Sequence, residues 1–518
     1  MNYLKIILVI VVSFLTSCTP KIKTQLELVP LIPIPNSLSA RGSSFIIKDK
    51  TKINYDKSNR DLELIALNLI DTWKSVTLNE LSIDNGRSAV LIEIDESKII
   101  DKEEYILDID EKLIKITGST PEGVFRGIKT LEQIIRLQSF QMSDNKLVIP
   151  TGIISDKPKF EYRGTMLDVA RHFFSIEDVK KHIDLLSLYK FNYLHLHLSD
   201  DQGWRIEIKS WPNLTEHGGS TEVGGKSGGF YTQQQYKEIV KYASQNYITI
   251  IPEIDIPGHT NAALASYPEL NCNGKATELY TGINVGFSSL CLERNETFKF
   301  LDDVIREISD LTPGPYFHIG GDETHATSKQ DYLVFIKSTI EIVKKYRKIG
   351  MGWADIAKAE IPQNTIIQYW VRTDKDSITN KKGVEEVLTG MDKGTKVVMS
   401  PASLSYLDMK YNDSTKLGLK WAGTISVKKA YDWFPDDLIP RNTEKIIGIE
   451  APLWTETTEN LDELTFLGYP RLLGYSEIGW SKTSNRKWAN YKERLSFHGR
   501  ILKSLSIVYF ESPMIDWK

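Results

Sequence analysis

Two rhythms of apolar and polar positions divide this chain. From about Val29 to Ser155 the pattern is mixed. Ser44–Ile47, Ala89–Ile94, Tyr105–Ile109 and Leu113–Thr117 read as strands, while Leu62–Ser75 and Val124–Leu137 carry apolar residues at helical spacing. The run Gly118-Ser119-Thr120-Pro121-Glu122 leads into the second helix, with Ser119 or Thr120 as its N-cap and Pro121 suited to the first turn. Pro30, Pro33 and Pro35 mark an extended entry. This predicts a small α+β domain over residues 29–155 with no catalytic cluster of its own.

Near Pro158 strand and helix signals begin to alternate and continue to the end. Strands are predicted at Tyr162–Val169, Tyr193–Leu198, Thr249–Ile254, Tyr316–Ile319, Lys348–Trp353, Thr365–Trp370, Lys396–Ser400 and Ile446–Trp454. Helices are predicted at 176–190, 232–246, 296–311, 327–346 and 380–391. Eight strand signals alternating with helices predict an α/β fold, a parallel (β/α)8 TIM-type barrel over residues 156–518. A doubly wound open sheet is the alternative. No glycine-rich phosphate fingerprint follows the first strand, which argues against its nucleotide-binding form.

Composition changes this picture little. The chain has 518 residues, 41% hydrophobic and 25% charged, which is ordinary for a globular protein with ample core. A net charge of -4 gives no electrostatic case for nucleic acid or an anionic membrane as partner. Residues 1–18 read as an address. Lys5 precedes the apolar run Ile6–Leu15, too short to span a bilayer comfortably, and Leu15-Thr16-Ser17-Cys18 follows. This resembles a bacterial lipoprotein signal in which Cys18 is acylated, with residues 19–28 as a tether; a plain signal peptide is the simpler alternative. Either predicts export, and the first predicts lipid anchoring to a bacterial membrane on its periplasmic side or at the cell surface. The two other cysteines, Cys272 and Cys291, fall in one loop-rich stretch. In an exported chain they predict a disulfide, worth roughly 3 kcal/mol by loop entropy, or else two buried thiols.

The chemistry gathers at strand ends, where a barrel keeps its active groups. The fourth strand runs into Gly320-Gly321-Asp322-Glu323. Two glycines allow a sharp turn. Two adjacent carboxylates in a water-poor pocket resist joint ionisation, so one keeps a proton near neutrality, as a general acid must. An isolated Asp-Glu pair is also what a solvated turn looks like. The other strand ends carry Arg171, Asp200, Asp201, Glu253, Asp255, His259, Trp353, Asp355, Trp370, Tyr406, Asp408, Trp454 and Glu456. Residues two apart in a strand share a face, which puts Trp454 with Glu456, and Tyr406 with Asp408 if that segment is extended. A ring surface beside a carboxylate suits a sugar; each pair alone could equally be rim packing. His195 and His197 also share a strand face, as hydrogen-bonded core groups or, with a third ligand, a metal site. His259 in Pro257-Gly258-His259-Thr260 can pair with Asp200.

These stretches resemble glycoside hydrolase family 20, the β-N-acetylhexosaminidases. The matching runs are Arg163–His172, His195–Arg205, Pro252–Thr260, His318–Glu323 and Trp454–Glu456, in order across the whole predicted barrel. The first domain resembles the non-catalytic domain of that family. The resemblance implies exo-acting, retaining hydrolysis of terminal β-linked N-acetylglucosamine or N-acetylgalactosamine from glycans, assisted by the substrate's own acetamido group. It implies Glu323 as general acid and base, Asp322 holding the acetamido N–H, and Tyr406 holding its carbonyl. It implies that Trp353, Trp370 and Trp454 enclose the acetamide and ring, that Arg171, Asp408 and Glu456 bind hydroxyls, and that Asp200 with His259 tunes Glu323. No cofactor or metal is implied. Release of a disaccharide such as lacto-N-biose, or a glycan-binding barrel without turnover, are the alternatives.

Overall fold

The computed structural model describes residues 25–518 apart from 49, 85, 87, 98, 142–146 and 374–377. The predicted signal segment and Cys18 lie outside the described residues. The first domain is a seven-stranded mixed sheet. Its strands lie in the order Ser37–Ile46, Val148–Asp156, Tyr105–Ile109, Ile114–Gly118, Val90–Ile94, Lys50–Asn54 and Glu80–Ile83. Helices Arg60–Thr77 and Pro121–Ser139 accompany it. Thr120 caps the second, accepting the Gly123 N–H at 3.3 Å. The sequence pattern predicts four of these strands and both helices. It misses Lys50–Asn54, Glu80–Ile83 and Val148–Asp156, and it reads Ser37–Ile46 only from Ser44, because the first half of that strand is mostly polar and its register against Val148–Asp156 breaks between Ala40 and Ser44.

Helix Pro121–Ser139 is buried along most of its length because the sheet covers one side and the barrel the other. Its polar residues are therefore paired across the interface. Arg126 meets Glu103 at 2.9 Å, and Glu103 in turn pairs with Arg163 of the barrel. Gln133 donates to the backbone oxygens of Ile32 and Leu188 at 2.6 and 2.9 Å. Lys190 reaches Asp156 at 3.1 Å, and Trp480 Nε1 donates to the same carboxylate at 2.8 Å. Every charge removed from water there has an opposite partner, the condition under which burial is tolerated.

The barrel closes with eight parallel strands: Tyr162–Asp168, Tyr193–His197, Thr249–Glu253, Tyr316–His318, Ile349–Trp353, Ile366–Tyr369, Lys396–Met399 and Ile446–Leu453. The last pairs with the first, Leu453 opposite Leu167. Helix starts follow their sequence signatures: Ser175 with Asp178, and Thr232 with Gln235, form reciprocal capping boxes. Register matters most on the third strand, where Glu253 lies opposite both His197 and His318. No helix of the described residues is long and apolar enough to cross a membrane.

Candidate active site

The site is built on the turn after the fourth strand. Gly320 and Gly321 have φ of 64° and 97°, and Glu323 joins them in the left-handed region at 48°. A Cβ on Gly320 would stand 1.7 Å from Asp255 Oδ1, so only glycine fits there. Asp255 accepts the Gly321 N–H at 3.0 Å, and Tyr332 donates to the Gly321 carbonyl at 2.7 Å. The left-handed glutamate costs on the order of 1 kcal/mol or more, a strain sustained by this bracing. The turn aims Asp322 inward, with its side chain 12% exposed, and leaves Glu323 at the mouth, 30% exposed.

His259, itself left-handed at φ 55°, stands behind the pair. Its Nδ1 lies 3.1 Å from Asp200, and its Nε2 lies 3.8 Å from Asp322 and 3.6 Å from Glu323. Asp200 is also held by Arg171 at 2.8 Å and by His197 Nε2 at 2.8 Å. Burial would raise Asp200, but Arg171 and His259 together hold its carboxyl well below the usual range. Burial would lower His259, and the charges of Asp200 and Asp255 overcome it and raise the imidazole.

Aromatic side chains wall the pocket. The rings of Trp353 and Trp454 lie 5.6 Å apart, Tyr406 stands 6.5 Å from Trp353 and 6.3 Å from Trp454, and Arg171 stacks over Trp454 at 4.8 Å. Trp370 is fixed by its Nε1–H on Asp355 at 3.1 Å. Tyr406 follows the short helix Ala402–Ser405, and Trp454 and Glu456 follow the end of their strand, so loop geometry, not strand alternation, brings each pair to the pocket. Both oxygens of Asp408, Oδ1 of Asp322, Oε2 of Glu456 and Nε1 of Trp454 are buried with no hydrogen-bond partner. Buried polar groups are nearly always paired, so this cluster is shaped for a ligand with several hydroxyl and amide groups. Burial first, then the Glu323 charge against the help of His259, sets Asp322, whose carboxyl rises to about 7. Burial and the neighbouring Glu456 raise Asp408 well above the carboxylate range. Burial raises Tyr406, with Asp322 and Asp408 adding to it, which keeps the phenol protonated and able to donate.

The sequence-predicted residues Arg171, Asp200, His259, Asp322, Glu323, Trp353, Trp370, Tyr406, Asp408, Trp454 and Glu456 thus stand at one end of the barrel. Cys272 and Cys291 are joined by a disulfide, Cα–Cα 4.9 Å, closing the loop whose Ser288 accepts the Thr260 N–H at 2.9 Å. The buried histidines and acids could be taken for metal ligands, His195, Glu253 and His318 above all. Their nitrogens sit 2.9 Å from the Glu253 oxygens, a spacing tighter than the roughly 3.3 Å between donors around a tetrahedral metal with ligand bonds of about 2.0 Å. Two features escape the sequence reading. Trp421, 44% exposed, stands edge-on to Tyr406 at 5.6 Å and to Trp370 at 6.4 Å, and lines a cavity of about 390 Å³ that also touches Glu323. It lies in a loop with no strand-end signal. The second is what surrounds Glu253, a strand-end acid in the sequence, whose partners come from three other strands.

Residues 160–483 match the model for the glycosyl hydrolase family 20 catalytic domain, and residues 28–157 match that for domain 2 of the same family. The chain is 38% identical to a β-N-acetylhexosaminidase of Cellulomonas fimi, over 94% of this chain and 97% of that one. Among solved structures, the N-acetyl-β-hexosaminidase of Streptomyces plicatus in complex with thio-NAglucal superposes with a TM-score of 0.91 at 42% identity, covering 95% of this chain and 99% of that one. An aspartate-to-alanine variant of that enzyme with the product GlcNAc superposes at 0.90, with 42% identity over 95% of this chain and 98% of that one.

Proposed function

The chain belongs to glycosyl hydrolase family 20, and from that premise we propose that it removes terminal β-linked N-acetylhexosamine, N-acetylglucosamine or N-acetylgalactosamine, from the non-reducing ends of glycans. The observation that carries this reading is the consecutive pair Asp322-Glu323 on one braced turn. Retaining glycosidases with a carboxylate nucleophile place an acid and a nucleophile about 5–5.5 Å apart around the sugar. Two consecutive residues approach from one side. The attacking atom then comes from the substrate, and the exceptions to the two-carboxylate rule include such substrate-assisted enzymes.

In this mechanism Glu323 gives its proton to the glycosidic oxygen as the C1–O bond breaks. The acetamido carbonyl oxygen forms the new bond to C1 and closes an oxazolinium ring. Asp322 accepts the acetamido N–H, and Tyr406 donates to the acetamido oxygen. An N–H donor favours the ionised form of its acceptor. Seating the amide therefore lowers Asp322 from about 7 toward its ionised form. Water then attacks C1 as Glu323 takes one of its protons, the ring reopens, and configuration is retained. Trp353, Trp370 and Trp454 exclude bulk water from the cation and hold the amide in attack geometry. Asp408, Glu456 and Arg171 take the ring hydroxyls. The test is a panel of aryl β-glycosides with and without the 2-acetamido group. Turnover should require that group, and trapping a glycosyl ester on a side chain overturns the reading.

The anchor at Cys18 belongs to the same reading and rests on the sequence of residues 1–18. Cys18→Ser should move activity from the membrane fraction to the soluble fraction; unchanged membrane association counts against it.

A further inference from the structure

Resting on that mechanism, we propose that Glu253, which touches neither sugar nor leaving group, is a positioning residue that holds the acetamide pocket and the general acid in one register. Its carboxylate, fully buried at the end of the third strand, is the junction of four side chains. Oε1 receives the Trp353 Nε1–H at 2.9 Å and faces His318 Nδ1 at 2.9 Å. Oε2 faces His197 Nδ1 at 2.6 Å and His195 Nε2 at 2.9 Å. One oxygen thus fixes the tryptophan wall of the amide pocket. The other begins a path of hydrogen bonds toward the acid: Glu253 to His197, His197 Nε2 to Asp200 at 2.8 Å, and Asp200 to His259 at 3.1 Å; His259 Nε2 then stands 3.6 Å from Glu323, an ion-pair distance without a hydrogen bond.

His197 has a carboxylate on each ring nitrogen, and an imidazole donates to both only as imidazolium. Burial would lower it, but Glu253 and Asp200 raise it well above its ordinary value. His195 also lies between two carboxylates, its Nδ1 hydrogen-bonded to Glu450 at 2.9 Å and its Nε2 2.9 Å from Glu253 without a hydrogen bond, and is pushed up to about 9 against burial by Glu450 and Glu253. Acids and imidazoles therefore alternate from Glu450 to His259, with Arg171 the extra cation on Asp200, His318 and Asp255 the other titratable groups against the path, and Tyr162 and Gln368 closing it at Glu450. Removing the Glu253 charge leaves His197 with one acceptor in place of two, and Asp200 with a weaker grip on His259. A carboxylate that only balanced charge in the core would not need to hold Trp353 as well.

The experiment uses the full chain with N-acetylglucosaminides of phenol and of dinitrophenol, in the parent, Glu253→Gln, His197→Gln and the double variant. Glutamine keeps an acceptor for Trp353 and removes the charge. General acid help matters for phenol, a poor leaving group, and little for dinitrophenol. Glu253→Gln should lower kcat on the phenyl glycoside by roughly 10²-fold, a typical acid–base contribution, against less than about threefold on the dinitrophenyl glycoside, with KM nearly unchanged. His197→Gln should show the same selectivity, and the double variant should be no worse than the worse single one, because one path is cut twice. Losses equal on both glycosides, or additive in the double variant, overturn the proposal. If Glu253→Gln does not fold, His197→Gln decides alone by the same ratio. Failure of the underlying mechanism reads differently: the parent would then turn over glycosides lacking the 2-acetamido group.

Discussion

The interface of the first domain and the open end of the barrel both bury charge, and they treat it in opposite ways. At the interface Glu103, Arg126, Arg163, Asp156 and Lys190 are all paired. Among the described residues, the buried carboxylate oxygens without a partner belong to Asp201, Asp255, Asp322, Asp408 and Glu456, all beyond strand ends at the open end of the barrel. The contrast shows where this molecule is finished and where it waits for something. Paired charge serves the fold. Unpaired buried acid oxygens are a standing cost that a ligand relieves.

Substitutions in the two regions should therefore separate stability from activity. The largest effect is expected at Asp322. Asp322→Asn should lower kcat/KM on an aryl N-acetylglucosaminide by roughly 10²–10⁴-fold while leaving the melting temperature equal or higher, since it removes an unsatisfied buried acid. A fall in both would erase the distinction. Glu103→Ala should do the reverse. It strands Arg126 and Arg163 and should cost about 3–5 kcal/mol in denaturant unfolding, with kcat of the folded fraction near the parent value.

Asp408→Asn comes next. It should cost roughly 10-fold in kcat/KM, mainly through KM, because an amide still bonds a hydroxyl but presents one acceptor oxygen where the carboxyl presents two. The pH dependence of stability sharpens the same contrast. Asp322 holds its proton more tightly folded than unfolded, so its favourable contribution is complete below about pH 4 and is lost as pH rises through about 7. Burial would raise Glu103, yet Arg163 and Arg126 hold it at about 2, so its contribution is complete above the unfolded value and is lost as pH falls toward 2. Melting temperatures of the ligand-free protein across pH 4–8 should fall more in the parent than in Asp322→Asn; parallel curves count against the linkage. The smallest effect is expected at the rim. Trp421→Ala should weaken a chitobioside several-fold, about 1 kcal/mol for one lost ring contact, and leave a simple aryl glycoside unchanged.

Much of this was legible because periodicity and glycine placement act locally. The eight barrel strands follow their apolar runs, and Gly320 and Gly321 announce a turn that no other residue could make beside Asp255. The strand Ser37–Ile46 was legible only in part, because most of its positions are polar and its register breaks midway. Trp421 carried no signal: one tryptophan in a loop reads the same whether it meets solvent or a sugar.

By itself, then, the sequence determined the strand count, the alternation that closes a barrel, and the set of acids and rings at the strand ends. Only the tertiary structure decided which of them meet. Glu253 finds His197, His318 and Trp353, respectively 56, 65 and 100 residues away along the chain, because barrel closure sets strand neighbours side by side in fixed register. The physical reason is one of range. Backbone preference acts over a few residues, whereas a buried carboxylate must find its donors wherever the closed sheet delivers them.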